Sequence, residues 1–571
     1  MKRSRIKAAR GECSADLVLK NGNILNVFTE EIVKADVAIV GDTIVGIGNY
    51  RGNREIDCTG KYLTPGLIDG HLHIESSMIS PLEFAKFILK KGTTTMIVDP
   101  HEIVNVSGSR GMDYILDATE DIPVNTFVMV PSSVPSSDVE INGAGKFLAE
   151  EMKRYREHKR VLGFGEMMRF MDVIDEQEET MDKIRAFEDM IMDGHAPGLS
   201  GKDVQAYRTA GICNDHECAG KEEMLEKLRA GFYILIREGS GARNLGTLVT
   251  VLRDCQLPLE QCMFCTDDKH LEDIEREGHI NHCVRKAVKL GIPVAKAYKM
   301  ASYYAARAYG LKNLGAIGPG YRADILIMDD LKEVNPKIVI KGGQVADEQW
   351  LSSFSYKIKD ETLLRTVICD ALTVQKLSHK KMIEDHVIEM VPHQLLTICR
   401  LEEIPGEHGI FCPNEEYTKL CVVERHGKTG HVGICPLKGY GIRNGAVATS
   451  VSHDSHNIIA AGDNDADLIA AVEELRRIQG GYVIASEGKV AAFLPLEIAG
   501  LMSLDTAEHV QKKVQEMVAL ARKLGVPETL DPFITLSFLA LTVIPDIRLT
   551  ENGLYDVNDR HFLQVFSDEL C

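Results

Sequence analysis

The chain has little that would take it out of water. It has one tryptophan in 571 residues, and aromatics make up only 6% of it. Nowhere does an apolar run reach the roughly 18 residues that a membrane span requires. The basic opening Met1-Lys2-Arg3-Ser4-Arg5 is not followed by an apolar segment, so neither a secretory signal nor a membrane anchor is expected. Positive charge is scarce as well. Against 84 Asp and Glu stand 65 Lys and Arg, for a net charge of −19, which speaks against nucleic acid or anionic membrane as a partner. The 14 cysteines form no framework and read as the reduced thiols of a cytoplasmic protein. Cys262 and Cys265 have metal-like spacing, but no second pair or registered histidine accompanies them, so they read as small buried hydrophobes.

What is present is an ordinary globular composition, 44% hydrophobic and 26% charged, in a chain too long for one hydrophobic core. Residues 14–62 read as short strands, with Asn21-Gly22 a hairpin signal. Over 63–311, short apolar runs alternate with longer amphipathic stretches, the signature of a parallel α/β sheet. The runs are Gly66–Asp69, Thr95–Val98, Thr126–Val130, Val161–Phe164, Ile191-Met192, Gly211–Cys213, Tyr233–Ile236 and Cys262–Cys265. Such a set fits a (β/α)8 TIM-like barrel. Strands at Arg322–Met328 and Pro336–Ile340 return to the β pattern, so 14–62 plus 312–352 are expected to form one small β-sandwich domain flanking the barrel. Weak signals over 353–377 read as a linker, and 375–571 as a further C-terminal α/β domain with a long helix near Ala507–Leu524.

Each apolar run ends in a polar residue: His71, Asp99, Ser132, Glu166, His195, His216, Arg237 and Asp267. Barrel enzymes place their chemistry at these strand ends. In His71-Leu72-His73 the two imidazoles, at i and i+2 of a strand, share a face and can bind one ion. Glu166, directly after the run Gly163-Phe164-Gly165, has two oxygens and can bridge two cations. With His195, His216 and Asp267, these residues supply donors for two metal ions, and the imidazole-rich set suits zinc, manganese or iron. Asp267 is also the expected proton carrier of the reaction, its neighbour Asp268 being free to cap the following helix. Glu217 is the candidate for a second proton transfer. Arg237, Glu238 and Ser240 either contact substrate or only pack the barrel mouth, and His101 and Glu102 either shape a loop or take part. His453-Asp454-Ser455-His456-Asn457 either reaches the site from the last domain or forms a hydrogen-bonded turn at a domain interface.

The series Pro65-Gly66-Leu67-Ile68-Asp69-Gly70-His71-Leu72-His73 resembles the first-strand signature of the amidohydrolase superfamily. Its extension to Ile74-Glu75-Ser76-Ser77-Met78 resembles the bacterial adenine deaminase family, as do Asp99-Pro100-His101-Glu102-Ile103, Asp193–Gly201, Asp215-His216-Glu217-Cys218 and Arg237-Glu238-Gly239-Ser240. So do Glu424-Arg425-His426, His453–Asn457 and Asp531–Phe538 in the last domain. The resemblance spans nearly the whole chain. It implies hydrolysis of adenine to hypoxanthine and ammonia by a metal-bridging hydroxide. Two divalent ions are implied, manganese first and iron(II) or zinc as alternatives, in a homo-oligomer, a dimer. Glu217 would protonate purine N1, with His195 or His216 competing if either is not a ligand. Glu166 replaces the carboxylated lysine of hydantoin- and dihydroorotate-opening relatives, which argues against that branch. After Glu166 the family pattern continues Met-Asn with Pro-Gly close behind. Here the chain reads Met167-Met168-Arg169-Phe170-Met171-Asp172, a departure that bears on fine specificity. The rival expectations are a different cyclic amidine or amide as substrate, and a non-catalytic scaffold on the same fold.

Overall fold

The computed structural model describes residues 2–392, 394 and 396–565. Its centre is a ring of eight parallel strands: Leu67–Leu72, Thr93–Val98, Asn125–Val130, Val161–Met167, Ile191–Gly194, Asn214–Asp215, Tyr233–Arg237 and Cys262–Cys265. The first five form one hydrogen-bonded sheet and the last three another. The Cys213 N–H donates to Met192 O at 3.0 Å across one gap. A parallel bridge between Leu72 and Asp267, with the Asp267 N–H on His71 O at 3.0 Å, closes the other. Every residue of Leu67–Leu72 and of Thr93–Val98 is buried, as expected of parallel strands covered on both faces. Ile68, Ile97, Met129, Leu235 and Met263, each from a different strand, meet in one apolar cluster. One helix between strands starts at a side-chain cap: Pro81–Lys90 has Ser80 accepting from the Glu83 N–H and proline in its first turn.

Strands from both sides of the barrel build one eight-stranded sheet. Tyr62–Pro65 pairs antiparallel with Ile325–Met328 and parallel with Ala15–Asn26. The expected hairpin at Asn21-Gly22 does not form. The strand runs through it from Ala15 to Asn26 with a bulge. Asn21 takes a left-handed φ of 59°, and its N–H is held by Asp36 Oδ1 at 2.9 Å. A Cβ at Gly22 would stand 2.5 Å from Leu63 Cδ1. The dipeptide thus serves close approach to a neighbouring strand rather than chain reversal. The sixth barrel strand is also shorter and later than the run Gly211–Cys213 suggested, because Gly211, at φ 105°, still belongs to the turn after a helix.

Beyond residue 384 the chain forms a second eight-stranded sheet, from Asp385–Met390 to Lys489–Pro495. Helix Asp465–Ile478, capped by Asn464, packs on it through Leu468, Ala471, Val472 and Leu475. Helix Ala507–Lys523 and a three-stranded meander, Ile547–Thr550, Gly553–Asp556 and His561–Val565, follow. Over 353–384 regular structure is limited to one 3-10 turn, Glu361–Leu364, yet Leu363, Val367, Cys369, Leu372 and Leu377 are buried, so this connection is packed rather than free. No helix among the described residues is long and apolar enough to cross a membrane.

Candidate metal centre

The ring delivers His71, His73, Glu166, His195, His216 and Asp267 to one place. Glu166 is the hub. Its Oε1 lies 3.6 Å from His71 Nε2 and 3.2 Å from His73 Nε2. Its Oε2 lies 2.7 Å from His195 Nδ1 and 3.2 Å from His216 Nε2. Asp267 Oδ1 stands 3.1 Å from His73 Nε2 and 3.4 Å from His71 Nε2. One carboxylate oxygen thus faces the imidazoles of strand one, and the other faces those beyond strands five and six. His195 is partly exposed and the rest are buried.

Backbone constraints fix the hub. The Glu166 N–H donates to Asp99 Oδ2 at 2.8 Å, and Ser132 Oγ donates to Glu166 O at 2.7 Å. Gly165 must be glycine, since a Cβ there would lie 2.0 Å from Asp99 Oδ2. Asp267 sits in the left-handed region at φ 55°, where aspartate is among the few tolerated side chains. The loops carrying His195 and His216 are tied by a buried ion pair. Lys227 Nζ reaches Asp215 Oδ2 at 2.9 Å and Ala196 O at 2.7 Å, while the Ala196 N–H donates to Asp215 Oδ1 at 2.9 Å. Burial works against the Asp215 carboxylate, but Lys227 outweighs it and holds its pKa below the usual range.

The donors fit metal ions for a reason visible in the protonation pattern. His73 Nδ1 lies 2.8 Å from the Asp99 carbonyl oxygen, which can only accept. A ring hydrogen is therefore on Nδ1, which leaves Nε2 as the atom that faces the Glu166 and Asp267 carboxylates. His71 Nε2, His216 Nε2, Glu166 Oε1, Asp99 Oδ1 and His101 Nδ1 are buried without a hydrogen-bond partner. Nitrogen and oxygen donors converging on one centre are what cations satisfy. Burial opposes the charge on Asp267, yet the Arg237 guanidinium beside it holds its carboxyl well below the usual range.

A cavity of about 280 Å³ opens beside this cage, lined by His73, Glu166, His195, Glu217, Arg237 and Asp267 on the barrel side. Met168, Phe538, Leu541 and Ile544 add apolar walls, three of them from the C-terminal unit.

Comparisons with known proteins point to one family. Residues 62–346 match the amidohydrolase family, and residues 394–561 match the adenine deaminase C-terminal domain. The chain is 47% identical over 557 residues to the adenine deaminase of Desulfitobacterium hafniense, covering 97% of each chain. It is 44% identical to adenine deaminase 2 of Carboxydothermus hydrogenoformans, again over 97% of each. With the adenine deaminase of Clostridium acetobutylicum it shares 43% identity over 98% of this chain and 99% of that one. This chain belongs to the adenine deaminase family.

Within this adenine deaminase family member, the strand-end residues separate into two groups. Arg237 lines the cavity, but its guanidinium is spent on acids. It donates to both oxygens of Glu217, the Nη2–Oε2 contact being 2.8 Å, and to Asp267 Oδ2 at 3.0 Å. Glu238 and Ser240, for which substrate contact and packing of the barrel mouth were the two readings, do not line the cavity. Glu238 is fully buried against Lys286 at 2.5 Å and His282 at 3.4 Å. Ser240 Oγ donates to Asp273 Oδ2 at 2.5 Å and accepts from the His270 N–H at 2.9 Å. Strand alternation explains the former: if Arg237 points inward, its neighbour points out.

Conversely, His101 stands closer to the centre than its sequence position suggested. It opens the helix after strand two, with Nδ1 3.3 Å from Glu166 Oε1 and its ring 4.5 Å from that of His73. The departing segment Met167–Asp172 places Met168 in the cavity wall, while Arg169 is bound by Asp138 at 3.0 Å and Asp172 at 2.5 Å. Cys262 and Cys265 are buried in the eighth strand, where burial pushes the Cys262 thiol up to about 12.

Proposed function

We propose that this chain hydrolyses adenine to hypoxanthine and ammonia at the strand-end cage, with His71, His73, Glu166, His195, His216 and Asp267 holding two divalent cations. The observation that supports it most is the convergence of imidazole nitrogens and carboxylate oxygens on Glu166. Manganese is the first choice, with iron(II) and zinc as alternatives, since this donor set suits all three. When bound, such a pair of cations lowers the pKa of a water held between them toward neutrality.

The rest of the chemistry falls to the chain. Glu166 spans the two halves of the cage and sets their separation. Asp267, with Oδ1 toward the cage and Oδ2 braced by Arg237, takes the proton of the attacking water and passes it to the departing amine. Glu217 is the candidate for the proton at purine N1. Both its oxygens accept from Arg237, so a proton carried there displaces one of those hydrogen bonds. Arg237 therefore connects the two acids as well as lining the cavity. The apolar wall of Met168, Phe538, Leu541 and Ile544 fits a flat, uncharged heterocycle and limits water.

A cytoplasmic location is in keeping with cysteines that are all free among the described residues. The dimer implied by the family resemblance is read by sedimentation. The reaction is tested by ammonia release from adenine, guanine, cytosine and a hydantoin with manganese-loaded protein. Adenine is expected to be the preferred substrate, and silence on adenine with turnover of another compound overturns the reading.

A further inference from the structure

The segment His453–Asn457 comes from the C-terminal unit, and most of its side chains hold the seam with the barrel. Asn457 Nδ2 donates to Ile141 O and to Glu551 Oε2, each at 2.9 Å. His456 Nδ1 accepts from the Ser452 N–H at 3.2 Å, which leaves the ring hydrogen on Nε2 to donate to Glu102 Oε2. Glu102, His453 and His456 lie close enough to hold an ion. The tautomer of His456 instead explains the contact as a hydrogen bond, in contrast to the converging donors around Glu166.

His453 differs from its neighbours. Its Nδ1 lies 2.5 Å from Glu102 Oε1, so each oxygen of that buried carboxylate takes one imidazole. Its ring stacks on Phe538 at a centroid distance of 4.7 Å and an interplanar angle of 24°. It lines the same cavity as Glu166 and Asp267, whereas His456 does not. With Nδ1 committed to Glu102 and the ring plane set by Phe538, the remaining nitrogen, Nε2, is held in one orientation before any substrate arrives. Such prior ordering is what makes a polar contact selective.

We propose that His453 is a substrate-recognition residue of the deaminase, its Nε2 forming a hydrogen bond with a ring nitrogen of the purine. The proposal rests on the adenine reading above, and it makes the C-terminal unit part of the active site rather than a cover. Glu102 is the positioning residue that acts through His453.

The test uses full-length, metal-loaded protein. In H453N the amide nitrogen stands near the place of Nδ1 and keeps the tie to Glu102, while the atom facing the purine is removed. The kcat/KM for adenine is expected to fall by about ten- to a hundredfold, with metal content and melting temperature unchanged. H456Q, whose amide nitrogen replaces Nε2, keeps the seam bond and is expected to stay within about threefold of the parent protein. Adenine analogues with carbon in place of nitrogen at position 3, 7 or 9 provide the readout that a structural role would not move. The parent protein should discriminate against one of them, and H453N should treat that one like adenine. The proposal is overturned if H453N stays within about threefold of the parent, or if it loses equally on adenine and all three analogues. If H453N does not fold, equal inhibition of the parent protein by all three analogues overturns it. A parent protein silent on adenine refutes the deaminase reading instead, and calorimetric binding of adenine then makes the same comparison without turnover.

Discussion

Replacing Asp267 by asparagine separates proton transfer from metal holding, and the structure sets the size of the effect. Asparagine tolerates the left-handed φ of 55° as aspartate does, so the backbone that closes the barrel is spared. The side chain must then choose. With its oxygen toward His71 and His73, its amide faces the Arg237 guanidinium, donor against donor, where Oδ2 now accepts at 3.0 Å. Turned around, it puts a donor into the cage. The first arrangement gives up one charge-assisted hydrogen bond, about 1.5–3 kcal/mol. The second gives up a ligand. Arg237 keeps both oxygens of Glu217 in either case, so the first is preferred and metal is retained. Loss of the proton carrier alone predicts a fall in kcat of about 10²–10⁴-fold. Ammonia release and metal content measured on one D267N preparation check this. A kcat within about tenfold of the parent protein, at full metal loading, refutes the role given to Asp267.

Two other perturbations probe the scaffold. G165A forces a methyl group to within 2.0 Å of Asp99 Oδ2; because Asp99 fixes the Glu166 N–H, kcat at saturating manganese should drop by about a hundredfold, and near-normal turnover would show that the hub is not so constrained. Lys183, on a helix beside the cage, is buried with Nζ on Ser132 O at 2.9 Å, and burial lowers its pKa to about 8. The folded state thus disfavours the ammonium. As pH falls from the unfolded value near 10.5 toward 8, the unfolded chain takes up the proton first, and the metal-free protein should lose about 3 kcal/mol of stability. Urea midpoints should show K183M without that slope, and parallel slopes for the two proteins would contradict it.

The barrel and most of its cage were legible in the sequence because both follow from local rules. Apolar runs of strand length mark the ring. The i, i+2 spacing of His71 and His73 and the glycines before Glu166 mark strand ends that face one centre. At Glu238 the rule left two readings open, and the alternation that turns Arg237 inward sends this next residue outward to pack. It fell short at His101, because the strand end there is Asp99 and the side chain nearest the centre opens the following helix. The bulge at Asn21-Gly22 depends on Leu63 and Asp36, and the pairing of Glu102 with His453 spans 351 residues. No local pattern carries such contacts, since they exist only once separate sheets have packed.

The most direct test of the account is a metal titration. Protein stripped by a chelator is given manganese in steps, with bound metal and ammonia release from adenine followed together. The account predicts an inactive stripped protein and activity that climbs until two ions per chain are bound. Full activity in the stripped protein, or activity complete with a single bound ion, would contradict a cage built for a pair.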